Sequence, residues 1–230
     1  IDQGLGWKSP WGMGFPGWHI ECSAMARSVL GDQIDIHTGG IEHVAIHHNN
    51  EIAQSEAATG KKPFSRFWMH RAHITIEGRK IAQSEGNTVY LSQIVEHGFH
   101  TLSLRYLFLG AHYRTPMNFT WEALGAAQSA YLKLRRIRDD LSGTTPGIIP
   151  EIYCTRFKER LYDDLDTAGA LGVLWDALKD SSLSEDQKYA FLLETDRVFG
   201  LGLDAPDELA ENLYSTLWGL KVKHEDVPAD

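Results

Sequence analysis

The sequence predicts an α/β fold in its first hundred residues and a helical region after them. Residues 1–100 hold most of the histidines and glycines together with several short runs of β-prone residues. From about residue 100, apolar residues recur at helical spacing instead. The early order of strand, turn, helix and strand is typical of half of a parallel α/β sheet. The 230 residues, 43% hydrophobic and 23% charged, suit one large or two modest globular domains.

In the first hundred residues, turn and cap signals set the expected elements. Strands are expected at 34–37 and 73–76 and a helix at 49–59. The first strand ends in the tight turn Thr38–Gly40, because glycine tolerates turn conformations. The helix opens on Asn49, a good N-cap, and stops near Gly60.

After residue 100 the apolar periodicity predicts helices. They are expected at 102–110, 121–141, 151–165, 167–180 and 184–200. The segment Ser142–Pro150 holds two glycines and two prolines, so it is the best candidate for a linker.

Composition and charge narrow the class of protein. Two cysteines, Cys22 and Cys154, cannot build a disulfide framework, so we expect a reducing, cytoplasmic setting. The sequence has no run of about 18 apolar residues, and its first residues do not resemble a signal peptide, so we expect no membrane association. The net charge of -9 argues against indiscriminate nucleic-acid binding.

The clearest chemical signal is a cluster of histidines. Five of the eleven histidines lie between residues 18 and 51. His47 and Glu51 are four residues apart, so a helix would place both on one face, while Cys22 lies 25 residues earlier. Thiol, imidazole and carboxylate groups all bind zinc. The alternative, a buried apolar thiol and a histidine pair that caps a helix, stays open on spacing alone.

Three further features are weaker. Gly39 and Gly40 follow a strand, at the position where the backbone of α/β sheets approaches bound nucleotides. Glu42, just beyond, could accept hydrogen bonds from ribose hydroxyls. An ordinary turn explains the two glycines equally well. Lys80 lies in a polar loop and would offset phosphate charge, although a solvated loop is the simpler interpretation. Basic residues follow one helix, which suggests an RNA-facing surface or a solvated helix end: Lys133, Arg135, Arg136 and Arg138.

Taken together, these segments resemble the cysteinyl-tRNA synthetases. The matching stretches run in consistent order along nearly the whole chain: SPWGMGFPGWHIECSAMA, IDIHTGGIEHVAIHHNNEIAQSEAATGKKPF, GRKIAQSEGNT, LRYLFLGAHYRTPMNFTWEAL and YDDLDTAGALGVLWDAL. The resemblance implies the C-terminal half of a Rossmann-like class I catalytic domain in residues 1–100. It further implies a helical region that contacts the tRNA stem in 101–145 and a helical bundle in 146–230.

The resemblance also assigns site residues. Cys22, His47 and Glu51 match three of the family's four zinc ligands. Trp18 and His37 match residues near the substrate cysteine, while Gly39, Gly40 and Glu42 match the ATP site, with Glu42 where an aspartate is usual. Lys80 and Ser84 match the catalytic signature loop, in which Gln83 replaces a second lysine. The implied function is cysteine–tRNA ligation with ATP, Mg²⁺ and Zn²⁺, on tRNA-Cys, by a monomer.

Departures from the family pattern leave alternatives. The family's His-Ile-Gly-His signature and its other zinc cysteine would precede Ile1, and its anticodon-binding portion would follow Asp230. We therefore expect the isolated chain to be a truncated, inactive synthetase. The alternatives are the related ligase that joins cysteine to an amino sugar in mycothiol synthesis and a non-catalytic, synthetase-like RNA-binding module.

Overall fold

The structure, a computed structural model, describes residues 6–15, 17–81 and 87–210. It divides into two units, Ile1–His73 with Tyr113–Pro116 and Ile74–His112 with Met117–Asp230. Helices and parallel strands occur together, which confirms the predicted α/β class. Among the described residues, none of the helices combines the length and the apolar character needed to cross a bilayer.

The first unit is built around one strand–helix–strand crossover. Its elements are β1 Trp7–Ser9, β2 Gly12–Gly14, α1 Trp18–Leu30, β3 Ile34–Gly40, α2 His47–Thr59 and β4 Ser65–Arg71. Strands β1 and β2 form a hairpin, whereas β3 and β4 pair in parallel across α2. Gly60 caps helix α2: its backbone is left-handed (φ 69°), and its N–H donates to the Glu56 carbonyl.

The second parallel strand is not the one expected from the sequence. Strand β3 pairs with β4 Ser65–Arg71, and the predicted strand at 73–76 forms β5 in the other unit. A short connection from the end of α2 brings β4 alongside β3, as is usual in such crossovers. Strand β4 carries no apolar alternation because charged and aromatic side chains follow one another in its sequence.

The second unit holds a small sheet and most of the helices. Its elements are β5 Ile74–Ile76, β6 Arg79–Lys80, α3 Leu91–Glu96, α4 Thr101–Leu109, β7 Met117–Phe119, α5 Trp121–Leu141, α6 Glu151–Tyr162, α7 Thr167–Lys179 and α8 Glu185–Phe199. Strand β5 is central, antiparallel to β6 and parallel to β7. The predicted helices therefore form, with ends within a few residues of those expected.

One apolar core joins the long helices. Tyr131 of α5, Leu174 of α7 and Leu192 of α8 are fully buried in the same cluster. Residues before and after 145 share this core, and the two units of the structure divide at residue 73. The division into segments 1–100, 101–145 and 146–230 stays a prediction about the organisation of the family.

Two members of the basic run on α5 point inward. Arg135 and Arg138 are only 2% and 6% exposed, and they donate hydrogen bonds to the backbone carbonyls of the segment after α8. The suggestion that these two arginines face RNA is therefore wrong. Only Lys133 and Arg136 of the run are exposed.

Candidate metal centre

Helix α2 buries an unusual set of polar side chains. His47, His48 and Glu51 lie on its inner face, and Glu51 is completely inaccessible to solvent. A helix presents residues three and four apart on one side, so the spacing of these residues determines this face once α2 forms. A buried carboxylate is costly unless it is paired or binds a metal. The surroundings of Glu51 therefore decide what the cluster can do.

Helix α1 adds a sulfur atom to this face. Ligand atoms of Cys22, His47 and Glu51 all lie within 4.8 Å of one another. The structure thus brings these three residues together, and their role as zinc ligands stays a prediction. Zinc bonds these atom types at about 2.0–2.3 Å, so a single ion between them needs only small side-chain movements. A set of one thiol, one imidazole and one carboxylate suits zinc better than magnesium.

The oxygens of Glu51 lack hydrogen-bond donors in good geometry. Oε1 lies 2.7 Å from Nε2 of His47, and Oε2 lies 3.1 Å from Nε2 of His37. Neither oxygen nevertheless accepts a properly oriented hydrogen bond, and Nε2 of His37 has no hydrogen-bond partner either. A cation would stabilise these buried oxygen and nitrogen atoms, because their lone pairs lie close together and have no hydrogen-bond donor. The residues present therefore fit a metal ion.

Burial also sets the charge states of two candidate ligands. It raises the pKa of the Cys22 thiol, and the nearby Glu51 carboxylate raises this pKa further. Burial lowers the pKa of His47, an effect that Glu51 opposes. His47 is therefore neutral at pH 7 and keeps a lone pair for a metal. The thiol keeps its proton until a cation displaces it.

Further histidines surround the three candidate ligands. Nδ1 of His19 lies 2.6 Å from Nδ1 of His47, and Nδ1 of His48 lies 2.7 Å from Nε2 of His70. A second set of possible ligands, His37, His48 and Glu51, uses the same carboxylate, so the two sets compete for Glu51. No role for His19 or His48 was predicted from the sequence. His19 and Cys22 are one helical turn apart, so their spacing would have placed them on one face of a helix. That inference needed a helix at α1, which the sequence did not predict.

The two predicted substrate residues lie on different sides of the cluster. The Trp18 ring is centred 4.3 Å from the His47 ring, and Trp18 lies one turn before Cys22 on α1. The Trp18 side chain is 54% exposed, so a small ligand in solvent could contact it. His37 lies on β3, beside Glu51 and the edge of Trp68. Both therefore border the candidate metal centre, and their role beside the substrate cysteine stays a prediction.

One of the predicted nucleotide residues, Gly39, has a local explanation in the structure. A Cβ atom on Gly39 would lie 2.6 Å from the His48 ring and 2.8 Å from the His43 ring, so the histidine packing itself requires glycine there. A Cβ atom on Gly40 would meet only the end of the flexible Glu42 side chain, which can move, so packing does not require glycine at 40. Glu42 is half-exposed and lies 3.4 Å from Nε2 of His73. The ATP-binding role of these residues stays a prediction.

The predicted catalytic loop is only partly described. Lys80 ends the short strand β6 and is exposed, and its carbonyl accepts a hydrogen bond from the Asn87 side chain at 2.8 Å. Ser84 and Gln83 lie outside the described residues. Lys80 belongs to the second unit, whereas the candidate metal centre belongs to the first. The catalytic assignment of Lys80 and Ser84 stays a prediction.

Comparison with known proteins gives a consistent set of relatives. Residues 2–129 match the family model described as the tRNA synthetases class I (C) catalytic domain. A cysteine–tRNA ligase of Burkholderia lata is 42% identical over 204 residues, covering 88% of this chain and 43% of that protein. A cysteine–tRNA ligase of Thermus thermophilus is 42% identical over 84% of this chain and 42% of its own length. That of Chlamydia trachomatis is 37% identical over 100% of this chain and 50% of its own length.

A solved structure shows the same fold. It is the ternary complex of Agrobacterium radiobacter K84 agnB2 LeuRS with tRNA and LeuAMS, with a TM-score of 0.63 and 15% sequence identity. The similarity covers 94% of this chain and 34% of that one. This chain therefore has the fold of part of a class I synthetase, and it spans at most about half the length of the relatives named above.

Proposed function

Since this chain belongs to the family of class I (C) tRNA synthetase catalytic domains, we propose that it is part of a cysteine–tRNA ligase. The observation that carries the proposal is the group of Cys22, His47 and Glu51, with the Trp18 ring beside it. A thiolate, an imidazole and a carboxylate are three of the ligands of a zinc site, and a substrate thiolate would bind the same ion. The substrate class that such a site favours is a small thiol.

The proposed zinc site accounts for the choice of cysteine over serine. A bound zinc ion would supply a direct bond to the substrate thiolate, which a serine hydroxyl matches poorly. A pocket without a metal separates such close analogues only modestly. Cys22, His47 and Glu51 would hold the ion, and burial, which lowers the pKa of His47, keeps its lone pair available. Trp18 borders the space beside them, and Nε2 of His37 lies 3.1 Å from the Glu51 carboxylate.

The proposed reaction has two steps. The cysteine carboxylate attacks the α-phosphorus of ATP with Mg²⁺ present, the bond to the bridging oxygen breaks, and pyrophosphate leaves. The aminoacyl group then passes to a hydroxyl at the 3′ end of tRNA-Cys, and AMP leaves. The resemblance assigns Lys80 and Ser84 to the phosphates and Gly39, Gly40 and Glu42 to the nucleoside. Catalysis is mainly positioning and charge stabilisation. A cytoplasmic monomer is part of the same proposal.

A chimeric enzyme tests this proposal. This chain would replace the matching stretch of the Thermus thermophilus relative, and ATP–pyrophosphate exchange would be measured. We expect exchange that depends on cysteine and is absent with serine. Lys80→Ala should lower the rate by about 100–1,000-fold, since one charged donor to a transition state has that effect. Lys158→Ala, at an exposed position on α6, is the matched control and should leave the rate unchanged.

Two outcomes would contradict the proposal. A chimera that folds and binds tRNA but gives no exchange with cysteine would exclude this chain as the cysteine-activating part. A Lys80→Ala chimera with the unaltered rate would remove Lys80 from the reaction.

A further inference from the structure

His19 makes the closest contact to His47 from outside the ligand set. The two Nδ1 atoms lie 2.6 Å apart, and the rings are tilted by 56° with centroids 4.8 Å apart. Nε2 of His47 faces the opposite way, 2.7 Å from Oε1 of Glu51. His47 is therefore held at one nitrogen by His19, while its other nitrogen faces the candidate ligands.

This geometry fixes which nitrogen of His47 carries the proton when a metal is bound. A neutral imidazole has one N–H group and one lone pair, and the metal-binding nitrogen must provide the lone pair. Because Nε2 is the nitrogen next to Glu51, the proton lies on Nδ1 and is donated to Nδ1 of His19. His19 must then accept at Nδ1, so its own proton lies on Nε2.

We propose that His19 is a positioning residue for the metal centre, an inference that rests on the proposed function. By accepting the hydrogen bond from His47, it holds the imidazole with Nε2 towards Glu51 and makes that nitrogen a stronger ligand. Metal-binding histidines commonly use their second nitrogen in this way, and loss of such a partner weakens metal binding about 10–100-fold.

The position of His19 on α1 supports this role. His19 and Cys22 lie on successive turns of α1, so one helix supplies both a candidate ligand and the residue that orients another. A second link between the helices, from the Ser23 hydroxyl to Oε1 of Gln54 at 3.0 Å, lies further along α1. The loss of general α1–α2 packing can therefore be separated from the loss of the His19 contact.

Variants of the 230-residue chain test the role of His19. Zinc affinity would be measured by competition with a chromophoric chelator, and the visible spectrum of the cobalt(II) form would be recorded. His19→Phe keeps a ring but removes the acceptor, so we expect zinc affinity to fall about 10–100-fold. We also expect the cobalt spectrum to change, which a purely structural role would not cause. His19→Asn places an oxygen near the former Nδ1 and should recover most of the affinity.

Two matched controls sharpen the comparison. The His43 ring is centred 5.1 Å from the His47 ring, about as close as that of His19, but no hydrogen bond joins these two described residues. His43→Phe should therefore leave zinc affinity unchanged. Ser23→Ala removes the other interhelical link and should lower thermal stability without changing the cobalt spectrum.

Each outcome decides between the claims. Weakened zinc binding and an altered spectrum in His19→Phe alone, with recovery in His19→Asn, support the positioning role. Equal affinities for His19→Phe and His43→Phe would overturn it and leave the proposed function intact. A wild-type chain that binds neither zinc nor cobalt through sulfur would overturn both.

Discussion

His48 illustrates how burial controls protonation within the histidine cluster. Its side chain is almost inaccessible, and burial lowers its pKa to about 4, with the nearby histidines, His37 foremost, adding to the effect. The neutral ring can therefore exchange a hydrogen bond with His70 across the physiological pH range. A charged ring would repel the neighbouring histidines and any metal ion held by them.

The depressed pKa of His48 makes the stability of the metal-free chain depend on pH. Between pH 6.5 and about 4 the unfolded chain binds a proton at His48 that the folded chain does not. The free energy of unfolding should therefore fall as the pH drops through this window, by up to about 3 kcal/mol from this group. Urea titrations in the presence of a chelator would measure it. His48→Gln should reduce the change in the free energy of unfolding with pH. His97→Gln, at an exposed position in the second unit, is the control and should leave that change as it is in the wild-type chain.

An identical pH dependence in the wild-type chain and in His48→Gln would contradict the assignment of a buried neutral imidazole. Urea titration is the appropriate probe because the histidine contribution appears as the difference between the two chains. The carboxylates that titrate in the same window are common to both.

Part of the site was predictable residue by residue, and part was not. Glu51 and His47 share a helix face at a spacing visible in the sequence, and Cys22 joined them through the resemblance of the surrounding segments. The role of His19 depends on where α1 places it relative to α2, which is tertiary information. The glycines at 39 and 40 were assigned to a nucleotide; packing against the His43 and His48 rings requires a glycine at 39, and the nucleotide role of both stays a prediction.

At the scale of elements, prediction succeeded where an apolar stripe exists. Helices α5 to α8 bury such stripes in one core, so their periodicity was visible in the sequence. Helix α1 was not predicted, because its inner face carries polar groups such as Cys22 and Ser23 instead of an apolar stripe. Strand β4 was missed for a similar reason, since His70 and Trp68 face the histidine cluster.

The two buried arginines of α5 hold the segment that follows α8 in place through hydrogen bonds to its backbone. Arg135 donates to the carbonyls of Gly202 and Ala205, and Arg138 donates to that of Leu203 at 3.1 Å. The Asp196 carboxylate accepts from backbone N–H groups of the same segment. Backbone groups that would otherwise be buried without partners are satisfied in this way.

Loss of these arginine hydrogen bonds should destabilise the fold without weakening the binding of tRNA. Arg135→Met removes two charged hydrogen bonds from a buried site, so we expect the free energy of unfolding to fall by about 3–5 kcal/mol. Arg136→Met, at an exposed position on the same helix, is the matched control and should stay within about 0.5 kcal/mol of wild type. Denaturant unfolding would measure both. An Arg135→Met chain that is fully stable but binds tRNA more weakly would restore the RNA-facing interpretation.

At the scale of the whole molecule, the two units differ in what fills their interiors. The second unit has two apolar clusters, one of them joining the long helices. Among the described residues of the first unit, the buried apolar side chains are Ile34 and Phe64, whereas His47, His48 and Glu51 are buried polar groups. An interior of this kind depends on satisfied polar contacts rather than on apolar burial. A metal ion bound there would therefore contribute to folding as well as to substrate choice.

The most direct test of a zinc centre that selects cysteine is the cobalt(II) spectrum of the 230-residue chain, titrated with cysteine and, separately, with serine. We expect a thiolate-to-cobalt charge-transfer band from Cys22 that is lost in Cys22→Ser. We further expect the band to intensify with cysteine, as a second thiolate joins the metal, and not to change with serine. A spectrum without a thiolate band, or one that responds equally to cysteine and serine, would contradict the metal centre and the proposed substrate together.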